Sequence, residues 1–314
     1  MDLSPSLISA IVTTLVVAFI LVIAYLLLNM EKHELNESTR AKLPGRFVSL
    51  AEGAVHYEIS PQTRGTTIVL VHGFSVPAHI WDPTFEGLNE AGFRVLRYDL
   101  FGRGYSDRPS TRYDIGLFTR QLEGLLDALG ISDPVHLVGL SMGGPVTASF
   151  AVQHPQRVSK LCFIDPLVSP ILSRQTFPIH LRAIGDYLMA IFIAPFILPK
   201  SQKNDFFKPE NYPEWIKRYK EQMKYKGFRR AILSTLRNFS TPLLPIYKAL
   251  ESLNITTMLI WGEADKTIPY EEIQKLRAAV PGMAFHAIER AGHLPHYERP
   301  EIVTPLLVEY FKSE

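Results

Sequence analysis

The most apolar part of the chain is its first segment. Residues 3–30 contain no charged side chain, and residues 7–28 are almost continuously apolar. A helix of about 22 residues rises about 33 Å, which is enough to cross a hydrocarbon core of about 30 Å. A cleaved signal peptide is the alternative, but the apolar stretch is too long and has neither a basic segment before it nor a cleavage site after it. The pattern therefore predicts a transmembrane anchor over residues 1–30.

The distribution of basic residues predicts the orientation of this anchor. None precedes the apolar segment, and four follow it closely: Lys32, Arg40, Lys42 and Arg46. Cytoplasmic flanks carry the excess of Lys and Arg, so we expect a single-pass membrane protein whose C-terminal bulk lies in the cytoplasm. The opposite orientation stays open, because the chain also contains glycosylation sequons. Residues 31–46 are polar and predict a linker.

Beyond the linker, short apolar runs alternate with helical patterns. This alternation is typical of an α/β domain with a largely parallel sheet, which we place at residues 47–314. Strands are predicted at 47–50, 54–59, 66–71, 94–100, 135–140, 158–164, 257–261 and 284–288, the first two as a hairpin. Helices are predicted at about 80–90, 115–129 and 301–311.

The alternation stops between about residues 166 and 245. This stretch carries helical patterns without a strong strand, and we interpret it as an inserted helical lid. Within it, residues 188–198 are apolar all round. Such a helix is either buried against the main domain or forms a surface that enters the bilayer and admits acyl chains.

A candidate nucleophile lies in the segment Gly139-Leu140-Ser141-Met142-Gly143. It follows the apolar strand at 135–140 and opens a helical stretch. A strand-to-helix turn this tight strains its central residue and crowds the neighbours, so it needs glycine on both sides. The turn holds the Ser141 hydroxyl above the sheet, and the amide of Met142 can donate to an oxyanion there.

A second oxyanion donor is predicted after the strand at 66–71. The segment His72-Gly73-Phe74 follows that strand directly. Glycine lets the backbone approach a reacting carbonyl, so the amide of Phe74 is the candidate donor and His72 is structural.

A serine nucleophile needs a base and a carboxylate that orients it. His293 follows Gly292 in the loop after the last predicted strand and is the preferred base, with His296 as its nearest rival. Asp265 ends the segment Trp261-Gly262-Glu263-Ala264-Asp265 and is the preferred acid. Two rivals for the acid stay open: Asp165, at the end of an earlier strand, and Glu263.

Composition removes several classes of function. There are 33 Lys and Arg residues against 31 Asp and Glu, a net charge of +2, without blocks of like charge. Nucleic-acid binding is therefore not expected. The single cysteine, Cys162, excludes a disulfide framework and a cysteine metal site. We expect no metal and no cofactor.

Five segments resemble the α/β-hydrolase superfamily. They are His72-Gly73, Asp99 to Ser106, Gly139 to Gly144, Trp261 to Asp265 and Gly292-His293, and they occur in this order over about residues 47–311. The resemblance implies an α/β-hydrolase fold: a mostly parallel eight-stranded sheet with helices on both faces. The chain is similar to carboxylesterases, to C–C bond hydrolases of meta-cleavage pathways and to membrane-anchored monoacylglycerol lipases. Epoxide hydrolases and haloalkane dehalogenases use an aspartate nucleophile, and Ser141 argues against both.

The expected reaction is hydrolysis of a carboxylic ester through an acyl-enzyme. The anchor and the apolar lid favour a lipid-like ester such as a monoacylglycerol. A C–C hydrolase is the alternative, and it would need a cation in the pocket, for which Arg174 and Arg182 are candidates. A non-enzymatic receptor or interaction protein with this fold is a third possibility, and the presence of a complete candidate triad argues against it.

Overall fold

The computed structural model describes residues 4–171 and 177–313. Its first element is helix α1 (Pro5–Leu28), which begins where the Ser4 hydroxyl accepts a hydrogen bond from the Leu7 amide and where Pro5 provides the first helical residue. Two helical segments in the described chain are long and apolar enough to cross a membrane. One is Pro5–Leu28, with a mean hydropathy of 2.9 and no buried residue; the other is Ile184–Asp205, with a mean hydropathy of 1.3 and 33% of its apolar window buried.

Eight strands form one sheet, as expected for the α/β-hydrolase fold. They are β1 (Arg46–Leu50), β2 (Gly53–Ile59), β3 (Thr67–Val71), β4 (Arg94–Tyr98), β5 (Val135–Leu140), β6 (Val158–Ile164), β7 (Thr256–Gly262) and β8 (Ala284–Ile288). Their order across the sheet is β1-β2-β4-β3-β5-β6-β7-β8. Strand β2 runs antiparallel to β1 and β4, and the remaining pairs are parallel. The prediction of a mostly parallel sheet opened by a hairpin is confirmed.

Helices cover both faces of the sheet and explain why the central strands are continuously apolar. They are α3 (Asp82–Glu90), α4 (Ile115–Ala128), α5 (Gly143–Gln153), α11 (Tyr270–Ala279), α12 (Pro295–Glu298) and α13 (Pro300–Lys312). The short helix α2 (Glu37–Arg40) precedes β1 and has no buried residue. In β3, Val69 and Val71 pack on the face of α4 and α5, while Ile68 and Leu70 pack on the face of α3 and α13. Cys162 in β6 is fully buried among these side chains.

Between β6 and β7 the described chain is helical. This insertion contains α6 (Ile184–Leu188), a π-helix (Met189–Ile197), α7 (Leu198–Ser201), α8 (Trp215–Glu221), α9 (Phe228–Asn238) and α10 (Leu244–Ala249), with short 3₁₀ turns between them. The π-helix is apolar on two sides with different surroundings. Met189, Ala190, Ile193 and Ala194 are buried, whereas Phe192, Phe196 and Ile197 are exposed. The sequence left open whether this apolar helix is buried or exposed. In the structure one side of the helix is buried and the other is exposed.

The polar segment after α1 packs against the insertion. The amides of Lys32 and His33 donate to the Lys224 carbonyl at 2.8 and 2.9 Å, and the Lys226 amide donates to the His33 carbonyl at 2.8 Å. The Glu31 carboxylate also pairs with the Arg229 guanidinium at 3.1 Å. These bonds hold the C-terminal end of α1 close to the helices of the insertion.

Candidate active site

Ser141 lies on the tight turn between β5 and α5. Its φ of +52° is a left-handed conformation that is rare for a residue with a side chain. The turn has no room for side chains beside it: a Cβ at Gly143 would lie 2.2 Å from the Val71 carbonyl oxygen, and one at Gly139 would lie 2.6 Å from the Gly143 carbonyl oxygen. The Ser141 amide donates to the Ile164 carbonyl of β6 at 3.0 Å. The two flanking glycines therefore let β5 turn sharply and present the hydroxyl at the carboxyl end of the sheet.

His293 and Asp265 meet at the same end of the sheet. His293 Nδ1 lies 2.8 Å from Asp265 Oδ2, and both side chains are almost fully buried. Asp265 Oδ1 accepts from the amides of Thr267 and Ile268, at 2.6 and 3.2 Å, which orient the carboxylate. A carboxylate only accepts hydrogen bonds, so Nδ1 carries a proton and donates a hydrogen bond to Asp265.

One cavity of about 320 Å³ contains both Ser141 and His293 in its lining. Phe74, Val76 and Ile80 form part of its apolar wall. Within the described residues, the Ser141 hydroxyl and the His293 ring line this cavity without a hydrogen bond between them. Catalytic hydrogen bonds of this kind often tighten only in the complex with substrate.

Burial and charge act on the His293 imidazolium in opposite directions. Burial lowers its pKa, but the charge and hydrogen bond of Asp265 and the nearby carboxyl groups of Asp205 and Asp165 raise the pKa above its ordinary value. Asp205 comes from the insertion. Its carboxylate accepts a hydrogen bond from the hydroxyl of Thr267, in the loop after β7, at 2.8 Å. The ring is thus surrounded by acidic groups from three parts of the chain.

The rival base and one rival acid lie elsewhere. His296 Nε2 donates to the Ile80 carbonyl at 3.1 Å, and its ring packs on Trp81 with centroids 4.4 Å apart. Burial lowers the pKa of His296 to about 3, so this ring is neutral. The side chain of Glu263 is exposed. Asp165, by contrast, lies beside both Asp265 and His293.

The two candidate oxyanion donors differ in their surroundings. Met142 directly precedes α5, with its side chain buried, and Phe74 lines the cavity. The Phe74 carbonyl accepts from Arg103 Nε at 2.7 Å. Arg103 is fully buried, and its Nη2 also donates to the Thr235 hydroxyl of α9 at 2.9 Å. This arginine therefore joins the Phe74 loop to the insertion, a role that its position between Gly102 and Gly104 did not indicate.

His72 has a structural role. Its Nδ1 donates to the Gly73 carbonyl at 2.9 Å, and its Nε2 accepts from the Leu100 amide at 2.9 Å. Burial lowers the pKa of His72 to about 4, so the ring stays neutral and connects two loops at the end of the sheet.

Glu298 is a second residue that the sequence patterns did not reveal. Its carboxylate accepts from the Gly292 amide at 2.7 Å, next to His293. It also accepts from the amides of Phe207 and Lys208 in the insertion, at 2.8 and 3.3 Å. Glu298 thus joins the His293 loop to the insertion. A lone glutamate in a short helix has no sequence signal for such a task.

The structure bears differently on Arg174 and Arg182, the two cations suggested for the pocket of a C–C hydrolase. Arg174 lies outside the described residues, and Arg182 is exposed and does not contribute to the cavity. Among the described residues that line the Ser141 cavity, Lys266 is the one lysine or arginine. It is exposed and follows Asp265 in the chain.

Comparison with known proteins places this geometry in a family. The model of the alpha/beta hydrolase family matches residues 68–305. The chain is 27% identical over 299 residues to a 2-hydroxy-6-oxo-6-phenylhexa-2,4-dienoate hydrolase of Burkholderia cepacia, an alignment that covers 89% of this chain and 99% of that protein.

Solved structures agree. The hydrolase of the same name from Rhodococcus sp. strain RHA1 superposes with a TM-score of 0.71 at 25% identity, covering 87% of this chain and 99% of that one. A thermophilic esterase from Thermogutta terrifontis superposes with a TM-score of 0.74 at 24% identity, covering 85% of this chain and 98% of that one; at this identity it shows the fold alone. The match over most of the chain shows that this protein belongs to the alpha/beta hydrolase family.

Proposed function

We propose that the protein is a membrane-bound serine hydrolase that cleaves carboxylic esters, with Ser141 as nucleophile, His293 as base and Asp265 as acid. One observation carries the proposal: His293, whose Nδ1 is paired with Asp265, lines the same cavity as Ser141, which stands on a strained strand-to-helix turn. These are the three groups that acyl transfer to water requires. They come from three loops at the carboxyl end of one parallel sheet.

The first half of the reaction forms an acyl-enzyme. His293 Nε2 takes the proton of the Ser141 hydroxyl while the oxygen attacks the ester carbonyl. The amides of Phe74 and Met142 stabilise the oxyanion of the tetrahedral intermediate. His293 then gives its proton to the departing alcohol as the C–O bond breaks.

The second half releases the acid. Water loses a proton to His293 Nε2 and attacks the acyl carbon, and the Ser141 oxygen leaves and takes that proton back. Asp265 keeps the proton of His293 on Nδ1 throughout, which leaves Nε2 free to accept one. Its negative charge also stabilises the imidazolium that forms in each half-reaction.

The contacts of α1 support a lipid-like substrate. Tyr187, in α6, donates its hydroxyl proton to the Leu21 carbonyl of α1 at 2.8 Å. Leu21 is seven residues before the end of α1 at Leu28, which corresponds to about 10 Å along a helix. If α1 spans the bilayer with Leu28 at the interface, Tyr187 lies about 10 Å inside the hydrocarbon, and the exposed side of the π-helix then lies in the same leaflet.

The insertion also contributes to the cavity and acts in this proposal as a lid. Five of its residues line the cavity beside Ser141: Leu198, Ser201, Gln202, Asn204 and Asp205. The same run of helix carries the exposed side chains Phe192, Phe196 and Ile197. An ester dissolved in the bilayer therefore reaches the serine along this helix without crossing water, which favours a monoacylglycerol-like substrate.

A C–C bond hydrolase is the second candidate, because curated relatives and one solved structure carry the names of dienoate hydrolases. Such a substrate has a carboxylate, and Lys266 is the cation that the cavity offers it. Asp205 in the same lining opposes an anion. The charge at the cavity is therefore mixed, whereas the contacts between α1 and the insertion favour a neutral ester.

The experiment is a substrate panel with the full-length protein in lipid vesicles. It contains monoacylglycerols of several chain lengths, a short nitrophenyl ester and a 2-hydroxy-6-oxo-dienoate. We expect turnover of both ester classes, with the highest kcat/KM for long-chain monoacylglycerols, and none in the Ser141→Ala variant. Turnover of the dienoate alone would replace the proposal by the second candidate, and an active Ser141→Ala variant would refute the nucleophile.

A matched pair of variants tests access from the bilayer. Phe192 is 53% exposed on the π-helix, and Tyr270 is 54% exposed at the start of α11. A charge that must enter hydrocarbon costs several kcal/mol, so Phe192→Glu should lower kcat/KM for the vesicle-bound monoacylglycerol by about tenfold or more. The short soluble ester should be hydrolysed as before, and Tyr270→Glu should change neither rate. Equal losses on both substrates would argue against entry along the lid.

A further inference from the structure

Asp165 occupies a strained and fully buried position at the end of β6. Its φ is +40°, a left-handed conformation, and its side chain is inaccessible to solvent. Its amide donates to the Ile260 carbonyl at 3.1 Å, and its Oδ1 accepts from the Gly262 amide at 3.0 Å. Both partners belong to β7, the strand that leads into the Asp265 loop. The carboxyl group is therefore held against the acid of the candidate triad.

The second oxygen of Asp165 has no donor. Among the described residues no N–H or O–H group faces Oδ2, although the atom is buried. Side-chain atoms of Asp165, Asp265 and His293 lie within 4.8 Å of one another. A buried acceptor without a donor is costly, whereas a proton on Oδ2 would turn the same oxygen into a donor toward the Asp265 carboxylate.

Two carboxyl groups buried this close do not both ionise, and the hydrogen bonds decide which one keeps the proton. Asp265 accepts from two backbone amides and from the His293 ring. Asp165 accepts from one amide. Hydrogen bonds to the charged form favour ionisation, so Asp265 carries the negative charge and the proton stays with Asp165.

We propose that Asp165 is a positioning residue that stays protonated at neutral pH and donates a hydrogen bond from its Oδ2 to the carboxylate of Asp265. The inference rests on the proposed function, in which Asp265 orients the base. Burial and the neighbouring charge of Asp265 raise the pKa of Asp165 well above its ordinary value, in agreement with the geometry.

The proton on Asp165 affects how readily His293 acts as a base. Among residues 4–171 and 177–313, the acidic groups close to the His293 ring are Asp265, Asp205 and Asp165, and the neutral His296 ring also lies near it. An ionised Asp165 would hold the imidazolium more tightly and keep the ring from accepting the Ser141 proton. A neutral Asp165 removes that charge, and its O–H restrains the Asp265 carboxylate in the orientation that His293 needs.

Infrared spectroscopy tests the protonation state directly. The difference spectrum between the wild-type protein and Asp165→Asn, recorded at neutral pH in D₂O, should contain the carbonyl stretch of a protonated carboxyl group that the variant lacks. The band should persist in Ser141→Ala, which has no turnover, so the measurement is independent of the hydrolase activity. A spectrum without this band would overturn the proposal even if the protein proves to be an esterase.

Kinetics supply a second, independent arm. An asparagine at 165 tolerates the left-handed φ, accepts from the Gly262 amide and donates to Asp265 through its side-chain amide. If Asp165 is neutral, Asp165→Asn leaves the acid limb of the kcat/KM profile in place and lowers the rate by about threefold, because an amide is a weaker donor. Asp165→Ala, which cannot donate, should lose about tenfold or more. If Asp165 is instead ionised, Asp165→Asn removes a negative charge, lowers the pKa of His293 and moves the acid limb to lower pH, which would contradict the proposal.

Discussion

Two buried histidine–aspartate pairs lie at the same end of this sheet. His293 Nδ1 is 2.8 Å from Asp265 Oδ2, and His56 Nδ1 is 2.7 Å from Asp99 Oδ2. All four side chains are at most 6% exposed. Distance and burial alone therefore do not distinguish a candidate catalytic pair from a structural one.

The second nitrogen of each ring makes the difference. His56 Nε2 donates to the Pro44 carbonyl at 3.0 Å, so both of its nitrogens have partners. The ring of His293 instead lines the cavity that holds Ser141. The cavity beside His56 and Asp99, about 270 Å³, has no serine, threonine or cysteine among its described lining residues. A pair becomes a base only where a free imidazole nitrogen faces a nucleophile.

The aspartates differ in the same way. Asp99 accepts from the amides of Ala78 and Tyr105, each at 2.8 Å, and so connects two loops. A Cβ at Gly104 would lie 2.0 Å from the Asp99 carboxylate, which explains why the loop has glycine there. Asp99 thus organises the segment Asp99 to Ser106, and its hydrogen bonds serve the fold.

The largest expected effect separates the two histidines. His293→Gln removes the proposed base and should lower kcat/KM for ester hydrolysis by about 10⁴-fold or more, as loss of a triad member does in serine hydrolases. His56→Gln should change the same ratio by less than about tenfold, since His56 is not at the Ser141 cavity. Both rates are measured on the short ester. Equal losses in the two variants would show that the pairs are not functionally distinct.

Replacing Asp265 should affect mainly the activity, whereas replacing Asp99 should affect mainly the stability. Asp265→Asn is expected to reduce kcat by about 10⁴-fold, because the His293 proton moves to the wrong nitrogen. Asp99→Asn removes the charge that accepts three hydrogen bonds and should lower the free energy of unfolding by about 2–4 kcal/mol. Denaturant unfolding and single-substrate kinetics on both variants check this. An Asp99→Asn protein as stable as wild type would contradict the structural role.

The smallest effect is a pH dependence of stability. Burial lowers the pKa of His56, but the charge and hydrogen bond of Asp99 raise it by more than burial lowers it. The pKa of His56 therefore lies above its ordinary value. Burial raises the pKa of Asp99, yet His56, His72 and the Ala78 amide lower it overall.

The sign of the dependence follows from these shifts. The His56 contribution is complete below the unfolded pKa of about 6.5 and is lost as pH rises through the folded value. The Asp99 contribution is complete above about 3.9 and is lost at lower pH. The difference in unfolding free energy between wild type and His56→Gln should therefore be largest between about pH 4 and 6.5, at about 1 kcal/mol. Stability curves that stay parallel from pH 4 to about 9 would show that the pair is not coupled to pH.

Much of the fold was predictable because it depends on local patterns. The eight strands lie within about two residues of their predicted positions, since buried parallel strands are short, continuously apolar and bounded by glycine and proline. The Ser141 turn was predictable for a similar reason: its glycines are required by contacts with adjacent residues and with the neighbouring strand. The π-helix was harder, because an apolar sequence does not tell which of its sides meets protein.

Choices between neighbouring candidates were not predictable from spacing. His293 and His296 are three residues apart, and α12 begins between them at Pro295, which directs His296 to the Ile80 carbonyl. Asp165 and Asp265 are a hundred positions apart in the chain, and pairing of β6 with β7 brings them together. A sequence pattern ranks such residues as rivals, whereas the structure places them side by side.

The sequence by itself determined the family, the α/β sheet, the apolar first helix and the position of the candidate nucleophile, because each is encoded in a continuous run of residues. Only the tertiary structure decided which histidine pairs with Asp265, that Asp165 lies beside Asp265, and that the insertion packs against α1 and lines the Ser141 cavity. The physical reason is the length scale: a turn or a hydrophobic period is local, but the charge around a buried imidazole depends on every strand and loop that reaches it.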